Sequence, residues 1–400
     1  MKKKNGLIYT APFSAIALVG LISLFSVATG VMLASISADY GVSTALVGLI
    51  PSLSSGGESL AYVLGGFWKR RRLGMKELAV YFLCLFLVVL GIGLKPPFAV
   101  LCLLYTLMGL LVGLLNFAAN TVVASSFVED RSRYISIMYI SMGLGCAMAS
   151  LYPSMALDRG TYWGLIYRQY AGFVALLGML TMAVLLPRIR KLGEISCGTS
   201  VARGGESTLK FLAHTGKGRL GLLCLMAMMY QGHQIALVSW LPAYMTEWLH
   251  METVSAGVTL TLFSIGLLVS RLIAALLSKR FTTRQMIVVG CLMGAAALGT
   301  GLLTGSAWVL MIACPAAGLV TGWILPMVMS CGHDCFPENP VAVASTINTA
   351  SALGGMLFSW LTGAIASHSF PAAISLTVIN LLIDAALMLL LKSEATGEKQ

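Results

Sequence analysis

The sequence predicts an all-α membrane protein with twelve transmembrane helices in two pseudo-symmetric six-helix bundles. Three observations predict this fold: the composition, the lengths of the apolar runs and an internal repeat. Hydrophobic residues make up 58% of the 400-residue chain and charged residues only 10%, whereas an ordinary soluble domain carries about 25% charged residues. The composition therefore excludes a soluble domain and favours a chain that lies in a lipid bilayer.

The apolar runs have the length that a bilayer requires, since about 20 residues of helix cross its hydrocarbon core. Six runs precede a long polar segment and six follow it. They begin near Phe13, Thr44, Leu78, Phe98, Tyr134 and Tyr170, and then near Leu220, Ser255, Arg284, Ser306, Val341 and Phe370.

One polar segment divides the chain. It runs from Pro187 to Arg219 and is rich in Gly, Ser, Lys and Arg, a composition typical of a mobile linker. We therefore predict an N-terminal six-helix bundle at residues 1–187, a central cytoplasmic linker at 188–219 and a C-terminal six-helix bundle at 220–400.

An internal repeat relates the two halves. Gly109 recurs as Gly318 after 209 residues (318 − 109 = 209), and further landmarks recur at the same offset. These pairs are Gly113 and Gly322, Phe127 and Phe336, Glu129 and Glu338, Gly145 and Gly354, Gly48 and Gly257, and Arg71 and Arg280. A constant offset requires equal element lengths in both halves, which indicates a duplication.

The basic residues predict the orientation, because cytoplasmic loops hold the excess of Lys and Arg. With the N-terminus inside, 22 Lys and Arg residues fall in cytoplasmic segments and only Lys95, Arg159 and Arg168 fall outside. Both termini are therefore expected in the cytoplasm, in a bacterial-type inner membrane. The net charge of +11 does not indicate a nucleic-acid partner, because it is spread over short loops rather than on one folded face.

Four ionisable residues fall within the predicted helices: Glu58, His233, Arg271 and Asp384. A charge inside a membrane costs at least about 2.5 to 3.5 kcal/mol, so such residues are functional candidates. Glu58 lies among Ser and Gly residues of the second predicted helix and is either a proton-coupling carboxylate or a helix-to-helix hydrogen-bonding group. No acid falls within the first predicted helix.

Uncharged polar residues mark the fourth and seventh predicted helices. Tyr230, His233 and Gln234 are three or four residues apart and share a helix face. His233 is either a proton carrier or a buried histidine satisfied by a neighbouring carbonyl. Asn116 and Asn120 are four residues apart, and their amides offer the donors and acceptors that a hydroxyl-rich ligand needs.

The chain as a whole resembles the major facilitator superfamily, in its two six-helix halves, its long central loop and its basic loops after the second and eighth helices. The stretch 109–120, Gly-Leu-Leu-Val-Gly-Leu-Leu-Asn-Phe-Ala-Ala-Asn, is similar to the fourth helix of the fucose-permease-like sugar:proton symporters. Tyr230-Gln-Gly, Trp240-Leu-Pro242-Ala-Tyr244, Pro326 and Phe336-Pro-Glu338 also resemble that branch.

The resemblance implies a secondary transporter that works by alternating access, in which the first, fourth, seventh and tenth helices line a central cavity. Substrate-binding residues are then expected on these helices. They are Asn116, Asn120, Tyr230, His233, Gln234 and Trp323, the last by stacking its ring on a sugar.

Departures from the family pattern affect the gate and the coupling. The family has an aspartate after the second helix, where this chain reads Lys69-Arg-Arg-Arg, and Lys279 occupies the repeat-equivalent place. We expect Glu129 and Glu338 to pair with Arg71 and Arg280 at the inner gate instead.

Proton coupling also needs a titratable residue other than the carboxylate that the fucose-permease pattern uses. In the fucose-permease pattern a carboxylate precedes Ala-Ala-Asn, and here Asn116 stands in its place. Glu58 and His233 are therefore the expected proton carriers, and the expected function is proton-coupled uptake of a sugar-like hydroxylated compound.

Two alternatives remain open from the sequence. In the monocarboxylate-transporter branch an arginine of the eighth helix binds the substrate carboxylate, so Arg271 makes an organic-anion carrier one alternative. Arg271 could instead have only a structural role, as the partner of Asp384 in an ion pair. The 22 methionines would suit an exporter of amphipathic compounds.

An enzyme is not expected, because the chain has no nucleotide-binding loop, metal-binding histidine pair or nucleophile elbow. The expected partners are the lipid bilayer, a small-molecule substrate and protons, and the expected state is a monomer without cofactor or metal.

Overall fold

A computed structural model describes residues 10–67, 75–126, 131–192, 217–278, 280–336 and 340–391. In these ranges the regular secondary structure is helical, and it forms twelve successive segments that we label α1 to α12. They are α1 Thr10–Tyr40, α2 Thr44–Val47 and Leu49–Phe67, α3 Met75–Gly93, α4 Phe98–Ser126, α5 Arg131–Asp158, α6 Trp163–Leu192, α7 Lys217–Ala243, α8 Thr253–Leu277, α9 Thr283–Thr304, α10 Ala307–Thr321 and Ile324–Cys335, α11 Pro340–Ala366, and α12 Phe370–Leu390.

The segments confirm the predicted fold class. Each begins within a few residues of its predicted start, except α6, which begins seven residues early, at Trp163 rather than near Tyr170. Among the described residues, eight segments are long and apolar enough to cross a bilayer. They are Phe98–Phe117, Ile140–Asp158, Gly218–Trp248, Thr253–Ala274, Thr283–Thr304, Ala307–Cys335, Ala342–Ala366 and Phe370–Leu390.

Three helices are irregular. α2 is interrupted at Gly48 and α10 at Gly322 and Trp323. α7 continues beyond Ala243 as a π-helical turn, Tyr244–Trp248, next to Pro242, which lacks the N–H that an α-helical hydrogen bond requires.

Helix pairing repeats between the halves. In the first six helices α2 packs on α4, α1 on α5 and α3 on α6; in the last six, α8 packs on α10, α7 on α11 and α9 on α12. Each pair recurs six helices later. The repeat read from the sequence therefore corresponds to a repeat of packing partners.

Glycines permit the closest of these contacts, because a glycine has no side chain and lets the backbone of a neighbouring helix approach. A Cβ atom on Gly109 of α4 would lie 1.9 Å from the carbonyl oxygen of Ser54 in α2, and one on Gly318 of α10 would lie 2.4 Å from that of Phe263 in α8. Ser54 and Phe263 are again 209 residues apart (263 − 54 = 209). Glycines at equivalent positions of the repeat thus contact equivalent positions of the neighbouring helix in both halves.

An aromatic cluster ties α6 to α1 and α4. The rings of Tyr40, Trp163, Tyr167 and Tyr170 follow one another with centroids 6.1, 6.2 and 6.3 Å apart. The hydroxyl of Tyr105 in α4 donates to that of Tyr167 at 2.6 Å. Edge-on rings and a buried hydrogen bond fix the orientation of α6 in the first half.

The predicted central linker, residues 188–219, overlaps the ends of two described helices, and the division into two bundles stays a prediction. α6 extends to Leu192 and α7 begins at Lys217, so the helices include both ends of the predicted linker. Residues 193–216 lie outside the described ranges.

Candidate functional site

In the described part of the chain, the two halves meet mainly along three helix pairs: α2 with α11, α5 with α8 and α1 with α7. On one side Ser52 of α2 donates to the carbonyl of Met356 in α11 at 2.7 Å. On the other side the hydroxyls of Ser150 in α5 and Thr261 in α8 are 2.7 Å apart. These hydrogen bonds join the halves at two separate helix pairs.

The loops 41–43, 94–97, 159–162 and 249–252 form the end of the bundle that the charge count predicts to face outside, here called the outer end. Near it, a Cβ atom on Gly363 of α11 would lie 2.4 Å from the ring of Trp240 and 3.2 Å from the Cα atom of Gly48 in α2. The indole of Trp240 donates to the carbonyl of Ser359 at 2.9 Å. The halves therefore touch at this end with Trp240 held against both glycines.

A cavity of about 500 Å³ also opens near the outer end. It is lined from both halves, by Asp39, Tyr162 and Trp163 on one side and Pro242, Thr246 and Thr253 on the other. The prediction that the first helix contains no acid was wrong in one respect, because α1 extends to Tyr40 and therefore includes Asp39.

Asp39 accepts three hydrogen bonds. They come from Lys95 at 2.6 Å, Tyr162 at 2.8 Å and the indole of Trp163 at 2.9 Å. A helix of 31 residues is about 46 Å long, which exceeds the roughly 30 Å hydrocarbon core, and Asp39 is a partly exposed residue of the outer end. Hydrogen bonding to Lys95 is the main cause that lowers the pKa of the Asp39 carboxyl below its usual value.

Glu58 lies where α2 packs on α4, since a Cβ atom on Gly113 would be 3.1 Å from the Cα atom of Glu58. Its side chain is partly exposed, and no hydrogen bond to its carboxyl oxygens is seen among the described residues. Cys146 of α5 lies within electrostatic range of both Glu58 and Arg271. The thiol therefore lies within electrostatic range of one ionisable group from each half.

Arg271 of α8 reaches the break in α10. Its Nε donates to the carbonyl of Gly322 at 3.4 Å, and its side chain is partly buried. The alternative pairing with Asp384 is not seen: both carboxylate oxygens of Asp384 are buried without a hydrogen-bonding partner in the described part of the chain.

The polar residues of α7 lie on two different faces. A Cβ atom on Gly30 of α1 would lie 2.3 Å from the carbonyl oxygen of Val238, so the face of α7 that includes Val238 meets the first half. Gln234 and Gln231 precede Val238 by four and seven residues, which places them on that face, and both are partly exposed.

Tyr230 and His233 instead point into the second half. His233 is fully buried, and its Nδ1 lies 3.0 Å from the carbonyl oxygen of Thr377 in α12. Because a carbonyl only accepts, Nδ1 must carry the hydrogen, which leaves Nε2 as an acceptor. The ring of Tyr230 lies 6.3 Å from that of His233, centroid to centroid. A role for these two residues in binding substrate stays a prediction.

The remaining predicted residues are placed as follows. The indole of Trp323 donates to the carbonyl of Met286 at 3.0 Å and is directed at α9. Asn116 lies on the stripe of Gly109 and Gly113 that faces α2, and it is partly exposed. The side chain of Asn120 is outside the described part of the chain.

Of the predicted gate, the structure describes one member. Arg280 follows α8 and is exposed, whereas Arg71, Glu129 and Glu338 lie outside the described residues. Within the same ranges, no group of three or more His, Cys, Asp or Glu side chains is placed to hold a metal ion.

Solved structures share this architecture. A bacterial homolog of the human lysosomal transporter Spinster matches in an inward-facing, unoccupied conformation with a TM-score of 0.77 and 14% identity, over 96% of this chain and 96% of that chain. The inward-facing, occupied form matches with a TM-score of 0.75 and 14% identity, over 96% and 98%. A D-xylose-proton symporter matches with a TM-score of 0.72 and 16% identity, over 98% and 100%.

At these identities the structural likeness shows the fold alone, and no curated protein matches the chain. The family is shown by sequence, because the Major Facilitator Superfamily model matches residues 15–359 and, separately, residues 222–400. Two overlapping matches, the second confined to the last six helices, agree with the repeat of landmarks and of helix pairs. The chain belongs to the major facilitator superfamily and is a multi-pass membrane transporter rather than an enzyme.

Proposed function

We propose that this protein imports a small hydroxylated, sugar-like solute together with protons, by alternating access in a bacterial-type inner membrane. The observation that carries the proposal is the amide face of α7. Gln231 and Gln234 lie on the stripe that meets α1 at Gly30, and both are partly exposed. Amides offer donors and acceptors together, as hydroxyl groups require.

Coupling is assigned to Glu58 first and His233 second. Glu58 is a carboxylate on a helix that contacts the other half, and a group that binds and releases a proton at such a contact can link protonation to movement of the halves. The likeness to a D-xylose-proton symporter supports a fold able to combine these tasks and does not by itself identify the substrate.

The test of this proposal is uptake by proteoliposomes from a panel of labelled sugars, carboxylates and cationic dyes, with and without an imposed pH gradient. For the parent, we expect a sugar to accumulate only when the gradient is present. Glu58→Gln should reduce accumulation to the level seen without a gradient while counterflow continues, because exchange of labelled for unlabelled solute moves no net proton.

Glu252→Gln is the matched control, since Glu252 is exposed at the outer end and its side chain does not cap α8; it should accumulate solute as the parent does. His233→Gln is the parallel variant. Unchanged accumulation in both Glu58→Gln and His233→Gln would remove both residues from the coupling.

An organic-anion carrier is the second candidate, and Arg271 favours it. This guanidinium reaches the break in α10 and lies within electrostatic range of Cys146 on the opposite half. Arg271→Gln should then abolish uptake of labelled carboxylates. Sugar uptake that survives this change would support the preferred function.

A further inference from the structure

We propose that four buried side chains between α7 and α12, His233, Tyr230, Asn380 and Asp384, form a proton-binding site of the C-terminal half, in which Asp384 binds and releases the proton. We call this group the polar file. It deepens the proposed function by naming a second protonation site besides Glu58, and it rests on that function only for its role in coupling.

The polar file follows one seam between two helices. On α12, Thr377, Asn380 and Asp384 are three and four residues apart and therefore share a face. The hydrogen bond from His233 to the carbonyl of Thr377 joins this face to α7. Tyr230 lies one turn before His233 and is within electrostatic range of Asp384.

The polar file extends along the helix axis of α12. The seven residues from Thr377 to Asp384 correspond to about 10 Å along the helix. Asp384 is the member nearest the end of α12 at Leu390, and His233 is the member farthest from it. The file thus leads from the middle of the half towards the end that is predicted to be cytoplasmic.

Every member is buried. The exposed fraction is 0% for His233 and Asp384 and 1% for Tyr230 and Asn380. Among the described residues, no hydrogen-bonding partner is found for Nε2 of His233, the hydroxyl of Tyr230, either polar atom of the Asn380 amide or either oxygen of Asp384. Most buried polar atoms in proteins are paired, so six unpaired atoms along one seam indicate a site rather than ordinary packing.

The chemistry of these atoms suits a proton. Both oxygens of Asp384, Oδ1 of Asn380 and Nε2 of His233 are acceptors, whereas only the Tyr230 hydroxyl and the Asn380 amide group can donate. A proton on Asp384 converts an acceptor into a donor and removes a buried charge, which is costly without a partner. His233 presents a nitrogen acceptor, whereas hard cations such as calcium and magnesium select oxygen ligands.

Among the described residues, no charged group on the helices packed on α12 is hydrogen-bonded to Asp384. α7 carries Lys217 and Arg219 in its first turn, and Cys224 follows them. The sequences of α11 and of the rest of α12 contain no titratable residue. From α9, Cys291 lies within electrostatic range of Asp384, and Arg284 donates to the carbonyl of Leu389 at 3.1 Å.

Two more distant segments complete the surroundings. The π-helical turn contributes Tyr244 and Glu247, which lie at the opposite, outer end of α7. Arg271 of α8 is within electrostatic range of Tyr230, and its described hydrogen bond goes to Gly322. Asp384 is therefore the one carboxyl group of the file and has no ion-pair partner among the described residues.

The proton-binding step is simple. A proton from water on the inner side forms an O–H bond with one carboxylate oxygen of Asp384, and the carboxyl becomes neutral. On release this O–H bond breaks, and the proton returns to water while the electron pair stays on the oxygen. Nε2 of His233 is the second acceptor in the file.

The site is tested without a substrate, by infrared difference spectroscopy of the purified full chain during steps of pH. The parent should show the carbonyl stretch of a protonated carboxylic acid that disappears as the pH is raised. Asp384→Asn should lose this band and take up one proton fewer per protein. Asp384→Glu should restore it, and Asp158→Asn, which alters an exposed carboxyl group, should leave it unchanged.

Several results would overturn the proposal. They are an unchanged band in Asp384→Asn, a parent without any titrating carboxylic acid, or thermal stabilisation of the parent by sodium that Asp384→Asn removes, which would make the file a metal-cation site. If Asp384→Asn fails to fold, Asp384→Glu decides, because a shift of the band in that variant assigns the band to residue 384 and not to Glu58.

Transport measurements distinguish the proton-binding site from the proposed function. Loss of gradient-driven accumulation with intact counterflow in Asp384→Asn would support both. A parent that moves no sugar but shows the Asp384 band would contradict the proposed function and leave the proton-binding site standing.

Discussion

At the scale of single residues, Asp39 shows how one side chain joins three segments of the first half. It is the penultimate residue of α1, and its partners are Lys95 from the loop before α4 and Tyr162 and Trp163 at the start of α6. Its carboxyl is partly exposed, so solvent screens the ion pair and limits its contribution. The three hydrogen bonds favour the ionised form, and this links the packing of the outer end to pH.

We predict that Asp39→Asn lowers thermal stability at neutral pH but has little effect in acid. The pKa of Asp39 is lowered in the folded protein, mainly by the hydrogen bond from Lys95. Its stabilisation is therefore present above the unfolded value of about 3.9 and is lost as the pH falls through the folded value. Melting in detergent should show the largest difference from the parent above about pH 5, shrinking below about pH 4.

Asp158→Asn is the control for this measurement, because Asp158 is exposed at the same end. A difference between Asp39→Asn and the parent that stays constant from neutral to acidic pH would contradict the explanation.

At the scale of helices, the described contacts depend on small residues at fixed positions. At Gly109, α4 contacts the backbone of α2, and at Gly318, α10 contacts the backbone of α8. The two carbonyls that are contacted are 209 residues apart. In a bilayer, helices associate mainly through close packing and hydrogen bonds, since lipid is as apolar as the helices. A methyl group at such a position therefore separates the helices, whereas a methyl group on an open face does not.

We predict that Gly109→Ala destabilises the first half while Gly172→Ala does not. A Cβ atom at position 109 would lie 1.9 Å from the carbonyl oxygen of Ser54, whereas nothing lies within 4 Å of one at position 172. Overpacking of this kind costs typically about 1 to 3 kcal/mol. Melting curves of the two variants in detergent measure the difference, and equal melting temperatures would show that α2 and α4 adjust freely.

At the scale of the whole molecule, contacts between the halves are present at the outer end and in the middle. Gly48 meets Gly363 near the outer end, and farther along α2 the hydroxyl of Ser59 donates to the carbonyl of Thr349 at 3.5 Å. Ser154 of α5 and Gly257 of α8 make the equivalent outer contact on the other side, at positions 209 residues from Gly363 and Gly48 (363 − 154 = 257 − 48 = 209). The repeat thus places equivalent contacts between the halves on both sides of the outer end.

We predict that cysteines introduced at Thr161 and Glu252 react with a membrane-impermeant thiol reagent added to intact cells, whereas the native Cys197 does not. The physical reason is the excess of Lys and Arg in the loops assigned to the cytoplasm. Each cysteine should be the only one in its variant, and permeabilised cells provide the control in which Cys197 reacts. Labelling of Cys197 alone in intact cells would reverse the orientation.

The sequence by itself determined the fold class, the number of helices and the repeat, because composition, run length and offset are properties of the chain alone. It also selected Glu58, His233, Arg271 and Asp384, since a charge in a membrane is costly wherever its helix packs. Only the tertiary structure decided which way these side chains point. Tyr230, His233 and Gln234 share an arc of α7, yet Gln234 faces the other half while His233 faces α12, because helical spacing fixes relative directions and neighbouring helices fix the absolute one. The polar file and the partners of Asp39 depend on residues more than 50 positions apart, and no local pattern in the chain encodes such contacts.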